Sequence, residues 1–166
     1  MNIALAIVAA VALERGGELL YAERNTRMLR SRGAKEVGRE HYPLIVLLHA
    51  AWLVSLVVFL PRDFVLHPVW IAIFAVLQVL RIWILVSLGP YWTTRILTLD
   101  DAPLVRTGPY RFLRHPNYVV VVGEIATLPL AFGEIVVAIV FSILNAGVLA
   151  LRIAAEERAL SARRSL

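Results

Sequence analysis

Five apolar runs separated by short polar or proline-broken connections leave this chain few ways to fold. They cover residues 2–13, 43–60, 68–88, 117–131 and 134–151. A helix of about 18–20 apolar residues crosses the roughly 30 Å hydrocarbon core of a bilayer, so runs of this length suit a membrane far better than a small soluble core. The whole chain agrees with that local signal. Of 166 residues, 60% are hydrophobic and 17% are charged, too little polar surface for a soluble domain of this length. The expected fold class is therefore an all-α integral membrane protein of about five transmembrane helices. Residues 1–166 form one domain, with three spans in 1–88 and the remaining helical hairpin and tail in 89–166.

The first run has small residues at Ala10 and Ala12 that resemble a signal-peptide cleavage site, but no basic segment precedes it. It is read as a helix continuing to Tyr21, followed by a basic loop over 24–41. Glu14 and Glu18 lie one turn apart with Arg15 between them, as either an interfacial helix end or a polar wall of a substrate cavity. His49 in the second run reads as a polar helix contact rather than a base. Arg81, three residues after Gln78 in the third run, either snorkels or points into a polar interior. Phe132 and Gly133 alone separate the last two runs, so these form an antiparallel hairpin.

The basic residues orient the bundle. The loop after the first helix has six (Arg24, Arg27, Arg30, Arg32, Lys35, Arg39), the third connection four (Arg95, Arg106, Arg111, Arg114) and the tail four (Arg152, Arg158, Arg163, Arg164). With the N-terminus outside, all of these face the cytoplasm and Arg62 alone faces out. The net charge of +5 then suits anionic lipid headgroups rather than nucleic acid. The chain has no cysteine, which excludes disulfides, thiolate metal ligands and cysteine nucleophiles. No internal repeat of the kind many transporters have is visible.

Residues 106–118, RTGPYRFLRHPNY, form a basic, proline-broken island between apolar runs. Gly108 and Pro109 turn the chain so that Tyr110 returns towards His115, and Pro116 opens a helix whose free N–H groups favour an anionic ligand group. Arg152 and Glu156 in the tail are one helical turn apart. The charge asymmetry brings both clusters to the same membrane face, as the two halves of one pocket.

GPYRFLRHPNY, the apolar hairpin and then RIAAEE resemble the isoprenylcysteine carboxyl methyltransferase family over about residues 88–160. These are integral membrane enzymes that use S-adenosylmethionine. YWTTRILTL and RHPNYVVVVGE look closest to a bacterial branch associated with methylating alkylpyrones and related phenolic lipids. The resemblance implies a bacterial inner-membrane protein in which Ala102, Pro103, Leu104 and Val105 (through their backbone), Tyr110, His115, Pro116, Asn117 and Tyr118 surround the cofactor. It further implies that Glu156 holds the cofactor and that Arg152 faces the acceptor and holds its anionic oxygen. Hydrophilic residues that eukaryotic relatives place at Ala102 and Pro103 are absent, which puts restriction to prenylated proteins in doubt.

The expected activity is O-methylation of an acidic oxygen (carboxylate, enol or phenol) on a membrane-dissolved lipid-like or prenylated acceptor, with no metal. An already ionised acceptor needs only Arg152 for orientation. A neutral phenol needs a base, for which Glu14, Glu18, His49 and Glu124 are the candidates. Sterol reductases share a similar hairpin with an HPNY-like motif, so a membrane reductase using NADPH is the alternative enzyme. A small transporter or a structural membrane subunit is the alternative outside enzymes.

Overall fold

A computed structural model describes residues 3–99 and 105–164. Five long helices dominate it: α1 (Ile3–Ser31), α2 (Tyr42–Val58), α3 (Pro68–Leu88), α4 (Pro116–Ala131) and α5 (Ile135–Arg164). Prolines open α2, α3 and α4 in the first turn, where a missing N–H costs nothing. Three helical stretches are long and apolar enough to cross a membrane: Arg39–Val58, Pro68–Tyr91 and Ile135–Arg158. The shorter α4 is also apolar, whereas α1 carries charges at mid-length. Large apolar side chains such as Leu47, Val58, Val79, Val86, Val136 and Ile143 point outward, as lipid contact requires.

Two departures from the sequence expectation shape the pocket end. Residues 24–41 are not one loop, because α1 runs on to Ser31. Asn25 explains part of this extension: its side-chain amide donates to the carbonyls of Gly89 (3.2 Å) and Trp92 (2.9 Å), docking the helix on the turn after α3. The fold is also not purely α. Lys35–Val37 (β1) pairs antiparallel with Ile96–Thr98 (β2), with Glu36 opposite Leu97. Arg95 and Arg30 both bond to Glu36, which fixes this small sheet to the end of α1.

The helices pack as a layered bundle. One apolar core gathers Val8 and Val11 of α1, Trp52 and Leu56 of α2, Phe74 of α3, Ile125 and Leu128 of α4, and Phe141 of α5. A smaller core near the pocket joins Ala22, Ile84, Trp92 and Val120. Between them lies a layer of charge. Arg81 donates to both oxygens of Glu18 (2.6 and 3.0 Å) and to Glu124 (2.9 Å), and Gln78 donates to Glu124 (2.8 Å). Arg15 adds ion pairs to Glu14 (3.0 Å), Glu18 (3.3 Å) and Glu124 (3.5 Å). Glu18 is thus buried rather than a wetted helix end or a cavity wall, Glu14 stays 34% exposed at the edge of this layer, and Arg81 points inward.

The α3–α4 contact beside this layer is close because of Gly123. A Cβ there would stand 2.7 Å from Leu77 Cδ1. At the opposite end from the pocket, the His67 N–H donates to the Ala131 carbonyl (2.9 Å), which ties the start of α3 to the end of α4.

Substituting Arg81 by Met will leave Glu18 and Glu124 buried without their shared cation. Loss of one partner of a buried ion pair costs about 3–5 kcal/mol. Equilibrium unfolding in detergent should show a loss of that size, partly recovered when Glu18→Gln and Glu124→Gln are added. The sheet is sensitive to acid. Burial favours the neutral Glu36 carboxyl, but hydrogen bonds and charge from Arg95 and Arg30 outweigh it and hold the group below its ordinary 4.5. A depressed carboxylate stabilises the fold above its unfolded pKa and loses that contribution as pH falls through the folded value. Melting temperature should therefore fall below about pH 4.5 with a component that Glu36→Gln removes.

Candidate functional site

Helix lengths alone bring the site together. α4 has 16 residues, about 24 Å at 1.5 Å per residue. Arg152 lies 17 residues beyond the start of α5, so the antiparallel return brings it level with the first turn of α4. The 30-residue α5 then continues past the start of α4 and carries Glu156 one turn further.

At this junction Tyr118 joins the two helices. Its hydroxyl donates to Glu156 Oε2 (2.5 Å) and accepts from Arg152 Nε (3.0 Å). Arg152 Nη2 donates to the Thr94 carbonyl (2.7 Å), and Thr94 Oγ1 lies 3.2 Å from the Tyr42 hydroxyl. His115 stacks on Tyr118 with ring centroids 5.3 Å apart, and its Nδ1 is 3.5 Å from Glu156 Oε2. Arg95 covers the other side of Tyr42 at 4.1 Å from the ring centre.

Arg95, His115, Tyr118, Arg152 and Glu156 border a cavity of about 540 Å³. That volume lies within the roughly 300–1,000 Å³ of typical small-molecule and cofactor sites. Val105, Tyr110, His115, Asn117, Tyr118, Arg152 and Glu156 all line it. Pro116 does not line it, but is buried as the first residue of α4. Ala102, Pro103 and Leu104 lie outside the described residues. Arg95, Arg106, Arg114 and Arg152 make the described lining strongly positive against the single carboxylate of Glu156.

Three features of this lining fit a polar ligand. Trp92 Nε1, His115 Nε2 and Asn117 Oδ1 are buried and have no hydrogen-bond partner among the described residues. An orphaned buried polar atom is costly, and a bound molecule with complementary groups satisfies it. The first turn of α4 has no side-chain cap; Pro116 has no N–H and the Tyr118 N–H donates to the His115 carbonyl (3.1 Å), which leaves the Asn117 N–H to meet an anionic group. Tyr110 is raised above the ordinary phenol range by burial and by the charge of Glu156, so its hydroxyl stays protonated and serves as a donor, not a base.

Sequence reasoning missed Trp92, Thr93, Arg95 and the α1 residue Leu29, all of which border the cavity, and Thr94, which braces Arg152 from behind it. Arg95 and the paired threonines had one visible signal, an unusual polar step directly after a helix stop. The Thr94 contact runs through a backbone carbonyl, which no residue type announces. The candidate bases are placed elsewhere. Glu18 and Glu124 are held by Arg81, Glu14 pairs with Arg15, and His49 Nδ1 lies 2.9 Å from the Ile45 carbonyl one turn back. None of the four lines the cavity.

Comparison with known proteins agrees with this architecture. The chain matches the Isoprenylcysteine carboxyl methyltransferase (ICMT) family over residues 70–162, and it belongs to that family. Membership makes it a membrane protein of methyltransferase type. Its similarity to one bacterial protein is nearly end to end: it is 39% identical over 158 residues to "Uncharacterized protein YpbQ" of Bacillus subtilis (strain 168), covering 93% of this chain and 94% of the relative. No solved structure gives a significant match.

Gly108 sets how closely the loop carrying Tyr110 approaches α3. Its φ is +57°, and a Cβ there would fall 2.1 Å from Ser87 Oγ and 3.0 Å from Ser87 Cβ. Gly108→Ala should destabilise the protein by about 1–3 kcal/mol through backbone strain and overpacking. Thermal melting checks this, and adding Ser87→Gly should recover the steric part only.

Proposed function

We propose that this protein is an S-adenosylmethionine-dependent O-methyltransferase that acts on an acidic oxygen of a membrane-dissolved, lipid-like acceptor. The observation that carries the reading is the Arg152–Tyr118–Glu156 arrangement beside three unsatisfied polar atoms in one cavity. Family membership favours methyl transfer over nicotinamide reduction or transport. The charge asymmetry of the loops supports a cytoplasmic pocket, with all five helices crossing the membrane and the N-terminus outside.

When bound, S-adenosylmethionine supplies an electrophilic methyl group; a C–O bond forms as the C–S bond breaks, and the electron pair stays on sulfur. Glu156 is placed to hold a cationic or donor group of the cofactor, and the uncapped start of α4 to hold an anionic one. His115 Nε2, Asn117 Oδ1 and Trp92 Nε1 supply further hydrogen bonds.

Arg152 orients the acceptor. Its Nε and Nη2 are fixed by Tyr118 and Thr94, which leaves Nη1 to meet an anionic oxygen in a defined direction. Attraction between an oxygen anion and a sulfonium is lost as charge is destroyed in the transfer, so positioning and exclusion of water are the main aids. The reading favours an acceptor that arrives ionised, a carboxylate or acidic enol, because no carboxylate other than Glu156 lines the described pocket. The apolar outer surface of the bundle lets such a lipid reach the pocket from the bilayer.

Purified protein incubated with radiolabelled S-adenosylmethionine and bacterial lipid extract should move label into extractable lipid. Glu156→Gln should weaken cofactor binding about tenfold or more, as expected for loss of a charge-assisted bond. Arg152→Ala should chiefly reduce turnover. Unchanged cofactor affinity in Glu156→Gln would refute its assignment. Saturable NADPH binding without S-adenosylmethionine binding would replace the whole reading with the reductase.

A further inference from the structure

The end of the bundle opposite the pocket holds a charge that the methyl-transfer reading does not use. Glu134 follows Gly133 in the turn between α4 and α5 and is only 5% exposed. Neither carboxylate oxygen has a hydrogen-bond partner among the described residues. Arg62 and His67, the basic residues of the nearby α2–α3 connection, do not bond to it. The His67 ring instead lies over the turn, with Nε2 3.9 Å from where a Cβ on Gly133 would stand.

Glu134 also borders a groove of about 510 Å³ whose other walls are apolar, among them Phe59, Pro61, Val136, Val140 and Phe141. Val136 and Val140 are 74% and 45% exposed, so the groove opens on the face of α5 that meets lipid. A buried carboxyl without a partner takes up a proton unless a cation or strong donor reaches it to hold the charge. An apolar channel leading to such a group selects a ligand with a compact cationic head and a hydrocarbon body.

We propose that this groove binds an aminophospholipid from the leaflet opposite the cofactor pocket, with its primary ammonium on Glu134 and an acyl chain along Val136 and Val140. Charge complementarity chooses the head, because a primary ammonium brings both positive charge and N–H donors. The depth also fits the five-span topology proposed above, in which Glu134, at the turn of the α4–α5 hairpin, lies where headgroups meet hydrocarbon. An anionic phospholipid would set phosphate against carboxylate. This inference stands apart from the methyl-transfer reading, and its failure leaves that reading untouched.

The test uses the full chain in detergent micelles containing equal amounts of phosphatidylethanolamine and phosphatidylglycerol, with retained lipids counted by native mass spectrometry. Wild-type protein should retain phosphatidylethanolamine, and Glu134→Gln should lower the ratio of retained phosphatidylethanolamine to phosphatidylglycerol by about tenfold, the loss of one charge-assisted contact. Val140→Trp, which keeps the carboxylate and fills the groove from its lipid-facing side, should lower the same ratio. Melting curves establish that each variant is folded. An unchanged ratio in folded Glu134→Gln overturns the proposal. If that variant does not fold, an unchanged ratio in Val140→Trp overturns it instead.

Discussion

The structure depends on one guanidinium held inside the membrane-facing bundle. Arg81 shares its donors between Glu18 of α1 and Glu124 of α4, so three helices meet at a single buried cation. Apolar packing between helices has little preferred register in a lipid environment, where lipid tails compete on equal terms. Directional charged bonds do have one. The network fixes how far α1 and α4 slide along α3, and with that it sets the height at which the first turn of α4 presents His115 and Tyr118. Its net contribution to stability is smaller than its bond count suggests, because two carboxylates and two guanidiniums have been taken out of water. Specifying one alignment is its clearer effect.

Much of the fold could be read from the runs themselves. The third run, 68–88, coincides with α3, and the Phe132–Gly133 break predicts the hairpin turn. What could not be read was non-local. The strands are three residues long, and Glu36 and Leu97 face each other across two intervening helices. No hydrophobic period arises in so short a segment. The continuation of α1 to Ser31 depends on Asn25 finding the carbonyls of Gly89 and Trp92, partners more than sixty residues away. Glu14, Glu18 and Glu124 looked like possible bases because a sequence shows charge in an apolar run but not its pairing, here Arg15 with Glu14 and Arg81 with Glu18 and Glu124.

The site was more legible than the fold around it. Seven of the expected residues meet at one cavity because two periodicities agree: the turn at 132–133 sets the hairpin, and residue spacing along it sets Arg152 level with Tyr118. The chemistry is then distributed with little redundancy. Tyr118 occupies one donor of Arg152 and one oxygen of Glu156, so these two side chains are mechanically joined through one hydroxyl. Under the proposed function, movement of either ligand would be felt by the residue that holds the other.

The small sheet has a consequence for modularity. The family match begins at residue 70 and so leaves out α1, β1 and α2. Yet Glu36 of β1 anchors Arg95 at the cavity, Tyr42 at the start of α2 meets Thr94, and Glu18 completes the partners of Arg81. The segment that carries the family signature is therefore not a detachable catalytic cassette. Transplanted onto a foreign pair of membrane anchors, it would keep its motif residues while losing the splints that hold the cavity rim, and a graft between relatives has to take these early contacts with it.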